Sequence, residues 1–509
     1  MKINLALIIQ DWRGEFGALL FGALVTLSFA PFNYFPLPFI CLAVLFFIWQ
    51  NTDSLVRVFI RGYLFGIGYF ATGVSWVSVS MVRFGGMSLP LSIALTVLLV
   101  AFLALYIAGI GYLGKKYFSF VGLRVQLLVV YPALWVVMEW IRGWLFTGFP
   151  WIDIGYSQVS SPLAGLYAVV GVYGVSLAVA ICAGCLVQMG CKGINASKKD
   201  AVLLVIIVLG SGLLMLVKWS DPIGSPLKVS LVQGNIAQQI KWLPEQRQPT
   251  IDLYMDLTQQ HWDSDIIIWP ETALPVFFPP AKDFLTELAQ QAKKHNTSML
   301  IGLPYIETEQ EHRRFFNSAV VLNDGQLSFY HKYHLVPFGE YVPLKWLLGD
   351  FLAFLHIPMA DFSPSAQHNP VVAMARVNAA ISICYEDAFG EEIIDGLPKA
   401  NFLVNISNDA WFGDSLAPHQ HLQKAQVRAL ETARPMLRAT NNGISAVIDD
   451  KANLVATSSL FQQTVLTADF QPMQGSTPYS LAGNYLVLVS IFVMIVAALR
   501  YQYSAKNRL

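Results

Sequence analysis

Cys384, in the run Ser382-Ile383-Cys384-Tyr385-Glu386, is the one cysteine outside membrane-type apolar sequence, so it has no soluble partner for a disulfide. A thiol in that position is either buried and inert or kept for nucleophilic chemistry. Two other segments carry groups that such a nucleophile needs. Ile266-Ile267-Ile268-Trp269-Pro270-Glu271-Thr272 is an apolar strand pattern that ends in a proline turn, with a carboxylate directly after it. Strand ends of this kind often mount functional groups. The run from Tyr330 to Tyr341 sets Lys332 and Glu340 on either side of a Pro/Gly turn. Taken singly, the glutamate reads as a solvated turn residue, the lysine as a surface charge and the cysteine as core. Taken together they form a working set. A thiol with a pKa of about 8.5 is mostly protonated at neutral pH, and a nearby cation or base is expected to raise its thiolate fraction. Glu271 can take the thiol proton and later return it to a leaving group. Lys332 can stabilise the oxyanion of a tetrahedral intermediate.

In the order Glu, Lys, Cys, these segments resemble the nitrilase or carbon–nitrogen hydrolase superfamily, whose signature is a triad of those residue types. The similarity extends to Asn405-Ile406-Ser407-Asn408-Asp409-Ala410-Trp411-Phe412-Gly413 and to Arg428-Ala429-Leu430-Glu431-Thr432-Ala433-Arg434-Pro435. The resemblance implies an α/β domain built as an αββα sandwich, with Glu271, Lys332 and Cys384 as catalytic residues and neither cofactor nor metal ion. Because the base of that superfamily is the glutamate, His331 and His334 are read as structural polar residues. Strand-like runs at 228–233, 265–269, 299–303, 317–322, 371–376, 379–384, 401–406 and 444–449, with helical patterns near 246–262, 281–295 and 418–432, agree with such a fold.

The elements that carry this domain are of another kind. The 509-residue chain is 55% hydrophobic and 13% charged, against roughly 25% charged in soluble globular proteins. Apolar runs at 15–30, 36–50, 58–80, 88–113, 122–145, 163–191, 201–219 and 483–500 predict an α-helical membrane bundle of about eight spans. The expected organisation is a transmembrane region over 1–220, a catalytic domain over 225–475, and a last span with its tail over 480–509. Lysines and arginines concentrate on one side of the runs, at Lys2, Arg13, Arg57, Arg61, Lys115, Lys116, Arg124, Lys192, Lys198, Lys199, Arg500, Lys506 and Arg508. Positive charge marks the cytoplasmic side. Both termini are therefore expected inside, and the catalytic domain on the periplasmic face of a bacterial inner membrane. The N-terminal run lacks a small-residue cleavage site and reads as a retained span. Zero net charge without a basic stretch excludes a nucleic-acid partner. Cys182 and Cys185 share a redox-like spacing, but in an apolar run they read as small-residue helix packing.

Joined to such spans, the domain resembles the apolipoprotein N-acyltransferase family along the whole chain, including the Gly234-Asn235-Ile236-Ala237-Gln238-Gln239-Ile240-Lys241-Trp242 segment that opens it. The resemblance implies ping-pong transfer of an acyl chain from phosphatidylethanolamine, through a Cys384 thioester, to the α-amino group of a diacylated apolipoprotein. It also implies that Glu340 holds Lys332 or assists the base, that Tyr385 and Glu386 shape the pocket beside the thiol, and that Trp242 contacts lipid. Asn317 and Trp411 are further candidates, for which capping or packing is an equal reading. The apolar segment 343–358 is either a buried helix or an arm that dips into the interface and gates the acyl chain. Arg83 and Arg142, on the outer side against the charge rule, are either tolerated cations or contacts for lipid phosphate. The competing activity is a membrane-tethered amidase or nitrilase that uses water as the second nucleophile.

Overall fold

The computed structural model describes residues 11–507, apart from 84, 194, 310–311 and 344–360. Residues 344–358 of the expected apolar arm therefore lie outside the described residues. The chain forms two compact units. One holds the helices up to Ser78, Leu89–Lys218 and the C-terminal part from Ala482, and the other holds Val79–Ser88 and Trp219–Leu481.

In the first unit each of the eight apolar runs contains a helix. Among the described residues five helices are long and apolar enough to cross a membrane, namely Leu55–Gly73, Leu89–Tyr117, Leu123–Arg142, Pro162–Lys192 and Tyr485–Lys506. The runs at 15–30, 36–50 and 201–219 give shorter helices, Trp12–Val25, Leu37–Gln50 and Lys198–Leu214, of 14, 14 and 17 residues, against the roughly 20 that a hydrocarbon core of about 30 Å asks for. The run at 58–80 is also cut short, because Leu55–Gly73 stops and a separate helix, Val77–Arg83, follows. Helix approach here depends on missing side chains. A Cβ on Gly22 would lie 2.0 Å from the Phe65 carbonyl oxygen, and one on Gly68 would lie 2.2 Å from that of Leu19. Cys182 and Cys185 are buried on the same helix as Gly184, where a Cβ would come 2.2 Å from the Leu127 oxygen.

The second unit is built from fourteen described strands: β1 (Ser220–Pro222), β2 (Leu227–Gln233), β3 (Ile266–Ile268), β4 (Ser298–Glu309), β5 (His312–Asn323), β6 (Gln326–His331), β7 (Val371–Met374), β8 (Val377–Ile383), β9 (Phe402–Ser407), β10 (Met436–Thr440), β11 (Ala446–Ile448), β12 (Leu454–Thr457), β13 (Thr464–Phe470) and β14 (Met473–Gly475). β1 and β14 pair alone, and the rest form two six-stranded sheets, ordered β13-β2-β3-β4-β5-β6 and β7-β8-β9-β10-β11-β12. Read in that order, both sheets have the same pairing sequence: antiparallel, parallel, parallel, antiparallel, antiparallel. The two halves thus repeat one topology without a sequence repeat.

Period-two alternation explains how the layers form. Val229 and Leu231 of β2, Ile266 and Ile268 of β3, and Leu300 of β4 join Ala379, Ile381 and Ile383 of β8, Phe402, Val404 and Ile406 of β9, and Leu437 of β10 in one core between the sheets. The residues in between, Val232, Ile267, Met299 and Ile301, face a second core with Leu285, Leu288, Ala289 and Ala292 of the helix Lys282–Lys294. The helix Leu416–Thr432 stands on the far side, against β10. This is the expected αββα sandwich.

Candidate active site

The site is made where strands of both sheets end. Glu271 follows β3 in a tight turn, and Thr272 after it adopts a left-handed φ of 50°. The turn can lie flat against β4 because residue 302 is glycine. A Cβ there would sit 2.3 Å from the Pro270 oxygen and 2.7 Å from the Glu271 Cα. Lys332 comes directly after β6, its amide still bonded to the Asn317 carbonyl of β5 over 2.8 Å. Cys384 is the first residue beyond β8 and not its last, as the sequence suggested. It opens a 3-10 turn, Cys384–Ala388, with φ at 55°. A left-handed non-glycine residue is strained by about 1–3 kcal/mol and persists only where its surroundings over-determine it. Two donors hold the Cys384 carbonyl here, Asn405 Nδ2 at 3.1 Å and His421 Nε2 at 3.2 Å.

Four polar side chains tie the three segments together. Asn317, 5% exposed, donates from Nδ2 to Glu271 Oε1 over 2.7 Å and to Glu340 Oε1 over 2.8 Å. Lys332, 1% exposed, meets both Glu340 oxygens at 2.9 and 2.8 Å. The second Glu340 oxygen also accepts the Val336 amide over 2.7 Å, so this carboxylate closes its own turn. Glu386 is buried and accepts four bonds: from the Ile383 amide (2.6 Å) and the Tyr330 hydroxyl (2.9 Å) on one oxygen, and from the Tyr333 (2.7 Å) and His334 (3.1 Å) amides on the other. It fastens the Cys384 turn to the loop that follows Lys332. The sequence had cast it as a pocket wall beside the thiol. Tyr385 packs edge-on against Phe389 and His334. Trp242 is half exposed and tilted over Phe277. Trp411 lies in the 3-10 turn Asp409–Phe412, part exposed.

The thiol, the Glu271 carboxylate and the Lys332 ammonium are close enough to shift one another's proton affinity. Burial, then Glu271, push the Cys384 thiol well above its ordinary value, although Lys332 pulls it down. The expected rise in thiolate fraction is thereby overturned, because loss of solvation and a neighbouring anion outweigh one cation. Burial also raises Glu271, with Lys332 opposing and Glu340 reinforcing the shift. Lys332 stays charged. Burial disfavours its charge, but Glu340, Cys384 and Glu271 outweigh burial and hold its proton tightly. At rest the arrangement is a neutral thiol beside a buried carboxylate and a fixed cation. Such an arrangement can support proton transfer coupled to attack, with positive charge placed to stabilise an oxyanion.

Several groups have no counterpart in the sequence reading. Lys241, next to Trp242, is fully buried, donates to the Glu271 carbonyl over 3.3 Å and is pushed down to about 8 by burial. Its only signal in the sequence was a lysine set between Ile240 and Trp242. The Gln238 and Ile236 region is pinned by Asn408 and Asn441, through Asn408 Nδ2 to Gln238 Oε1 at 2.7 Å and Asn441 Nδ2 to the Ile236 carbonyl at 2.7 Å. His331 and His334 bond to Ser318 and Glu392, in keeping with structural roles. Arg142 is 3% exposed, ion-paired with Asp153 and set over the Phe70 ring at 5.2 Å. Its guanidinium is thus spent inside the fold, and the lipid-phosphate reading of this residue is withdrawn. Arg83 is exposed, with Nη1 only 2.8 Å from where a Cβ on Gly413 would stand.

Comparison with known proteins agrees across both units. Residues 21–185 match the family model of the apolipoprotein N-acyltransferase N-terminal domain, and residues 228–479 match that of carbon-nitrogen hydrolases. The chain is 45% identical to the apolipoprotein N-acyltransferase of Methylococcus capsulatus over 92% of both chains. It is 38% identical to that of Coxiella burnetii, covering 94% of this chain and 98% of the relative. It is 39% identical to that of Nitrosomonas europaea, covering 96% and 97%.

Proposed function

The chain belongs to the apolipoprotein N-acyltransferase family, and from that premise we propose that it moves an acyl chain from a phospholipid, through a thioester on Cys384, to the α-amino group of the diacylglyceryl-cysteine of an apolipoprotein. Phosphatidylethanolamine is the proposed donor. The observation that carries this reading is Cys384, left-handed at the end of β8, beside a Glu271 and a Lys332 that are tied together through Asn317 and Glu340.

In the first half-reaction the thiol sulfur attacks the donor's ester carbonyl while its proton passes to Glu271. The oxyanion leans on Lys332 Nζ. The C–O bond to the glycerol then breaks, and Glu271 returns the proton to the leaving lysophospholipid oxygen. In the second half-reaction the neutral α-amine attacks the thioester and Glu271 takes its proton. Collapse forms the amide and expels the Cys384 sulfur, which recovers the proton. Glu340 and Asn317 hold the lysine and the base in place, and Glu386 holds the nucleophile turn. The half-exposed Trp242 over Phe277 is a fitting platform for an acyl chain. Both substrates are lipid-embedded, and apolar helices on the same chain suit an enzyme that meets them by lateral diffusion. Basic residues on the opposite side of the runs support a periplasmic site with cytoplasmic termini.

Incubation of the detergent-purified protein with phosphatidylethanolamine tests this. The expected product is one hydroxylamine-labile acyl chain on Cys384, absent in Cys384→Ser, which chases onto a diacylated lipopeptide with a free amine. Cleavage of small amides without any acyl-enzyme would refute it.

A further inference from the structure

In contact with the Cys384 main chain, the fold buries a second set of charges that the reaction does not consume. His421, from the helix Leu416–Thr432, has a carboxylate on each ring nitrogen, Asp409 Oδ1 at 3.0 Å from Nδ1 and Asp387 Oδ1 at 3.0 Å from Nε2. Arg438 of β10 joins the two carboxylates from the other direction, at 3.3 Å to Asp387 Oδ2 and 2.9 Å to Asp409 Oδ2. All four side chains are at most 1% exposed. Room for the Asp409 carboxylate exists because residue 443 is glycine, where a Cβ would lie 2.3 Å from Oδ2.

The ring balances only with a protonated histidine. Two carboxylates and one guanidinium leave a net charge of minus one, and an uncompensated buried charge is strongly unfavourable. A neutral imidazole would also aim a lone pair at one of the carboxylates. The imidazolium satisfies both contacts and the charge. Burial and Arg438 oppose that proton, while Asp387 and Asp409 outweigh them and raise the affinity of His421 above its ordinary value. The ring reaches the nucleophile twice. His421 Nε2 also contacts the Cys384 carbonyl, the atom whose position goes with the left-handed turn. Asp409 Oδ1 accepts the Ser407 hydroxyl over 2.9 Å, and Ser407 in turn pulls the proton affinity of the Cys384 thiol down. A hydroxyl has one proton. With a neutral thiol Ser407 can give it to Asp409, and once the sulfur carries charge Ser407 can turn it to the sulfur. Asp409 tolerates the loss because His421 and Arg438 still donate to it.

The geometry points to Asp387, His421, Asp409 and Arg438 as a proton-locked clamp on the nucleophile, in which the His421 imidazolium fixes the Cys384 carbonyl and, through Asp409, frees the Ser407 hydroxyl to stabilise the sulfur anion. His421 is a positioning residue, since it acts through the Cys384 main chain and Ser407. The inference rests on Cys384 being the acylated nucleophile. It adds an alkaline limit to the enzyme. Loss of the His421 proton, as pH rises through its raised affinity, loosens the turn just where thiol ionisation alone would favour reaction.

Two readouts on the full-length, detergent-solubilised protein separate the ideas: alkylation of Cys384 by iodoacetamide, followed by mass spectrometry of its peptide, and acylation from phosphatidylethanolamine micelles, both against pH. Wild type is expected to acylate along a curve that falls on the alkaline side while alkylation keeps rising. His421→Gln is expected to acylate about tenfold more slowly, the weight of one lost hydrogen bond, and to lose the alkaline fall. Ser407→Ala, which leaves the ring whole, is expected to keep its thermal midpoint and the alkaline fall, and to need higher pH for Cys384 alkylation. A His421→Gln protein that is slower but keeps the wild-type pH curve overturns the clamp, since a purely structural defect would behave that way. If that variant fails to fold, Ser407→Ala decides, and an unshifted alkylation profile overturns the proposal. Failure of wild type to form any acyl-enzyme would instead refute the parent reading of the function.

Discussion

Asn317 Nδ2 donates to Glu271 Oε1 over 2.7 Å, from a residue on β5 that lies 46 positions further along the chain than the carboxylate it orients. The bond favours the ionised form of a glutamate that burial drives toward its protonated form. Asn317→Ala should therefore raise Glu271 further. The acid limb of acyl-enzyme formation is expected to move to higher pH, with the rate at pH 7 down by about tenfold or more. A pH series of single-turnover acylation checks it, and an acid limb that stays put excludes Asn317 from setting the base.

Lys332 and Glu340 can be separated from the fold by a double-mutant cycle. Lys332→Met leaves Glu340 facing Asn317 and Glu271 without its cation, which is expected to cost about 3 kcal/mol of stability and about 10²–10³ in acylation rate. Adding Glu340→Gln should restore most of the thermal midpoint and none of the rate. Recovery of rate in the double variant would show that the lysine's charge is not what the reaction uses.

Glu386 makes stability depend on pH in a defined window. Burial lifts it from 4.5 to about 6, against the pull of Lys332. A carboxylate raised in the folded state contributes stability that is full below its unfolded value and is lost as pH climbs through the folded one. Wild type is thus expected to lose up to about 2 kcal/mol of stability from this group between pH 4.5 and about 6, read as a falling thermal midpoint. Glu386→Gln should lie lower throughout, since its amide cannot accept all four donors, and should lack that slope. Parallel thermal unfolding curves for the two proteins across the window would dismiss the assignment.

Lys241 tests the electrostatics of the base from another side. Burial lowers it to about 8, with Glu271 pulling back. A lysine lowered in the folded state contributes stability that is full above its unfolded value and is lost as pH falls through about 8. Lys241→Met should remove that loss, so that at pH 7 the variant unfolds no earlier than wild type. Its acylation should slow, with the acid limb displaced upward, because a cation that lowers Glu271 is gone. A variant as fast as wild type across the pH range would leave Lys241 with packing alone.

Much of this was written along the chain. The strand-like runs at 228–233, 265–269, 379–384 and 401–406 announced β2, β3, β8 and β9, and helices near 246–262, 281–295 and 418–432 fell close to their observed ranges. The strands that escaped had local reasons. In β10 the pattern Met436-Leu437-Arg438-Ala439-Thr440 carries an arginine with no exposure at all, so a strand in the middle of a sheet does not read as apolar. That arginine is there for the clamp. β6 and β13 mix hydroxyl and other polar residues into short alternations that turn chemistry could equally explain.

The sequence by itself determined the two kinds of unit, the order Glu271, Lys332, Cys384, and the strand ends that carry two of them, because alternation and apolar run length are local properties of the chain. Only the tertiary structure decided that Asn317 joins both carboxylates, that Glu386 anchors the Cys384 turn, that Lys241 donates to the Glu271 carbonyl and that Asp387, Asp409, His421 and Arg438 close a ring against the Cys384 main chain. It also reversed the expected shift of the thiol. Those outcomes depend on which charges meet after solvent has been excluded, and that distance is set by packing between segments far apart in the chain.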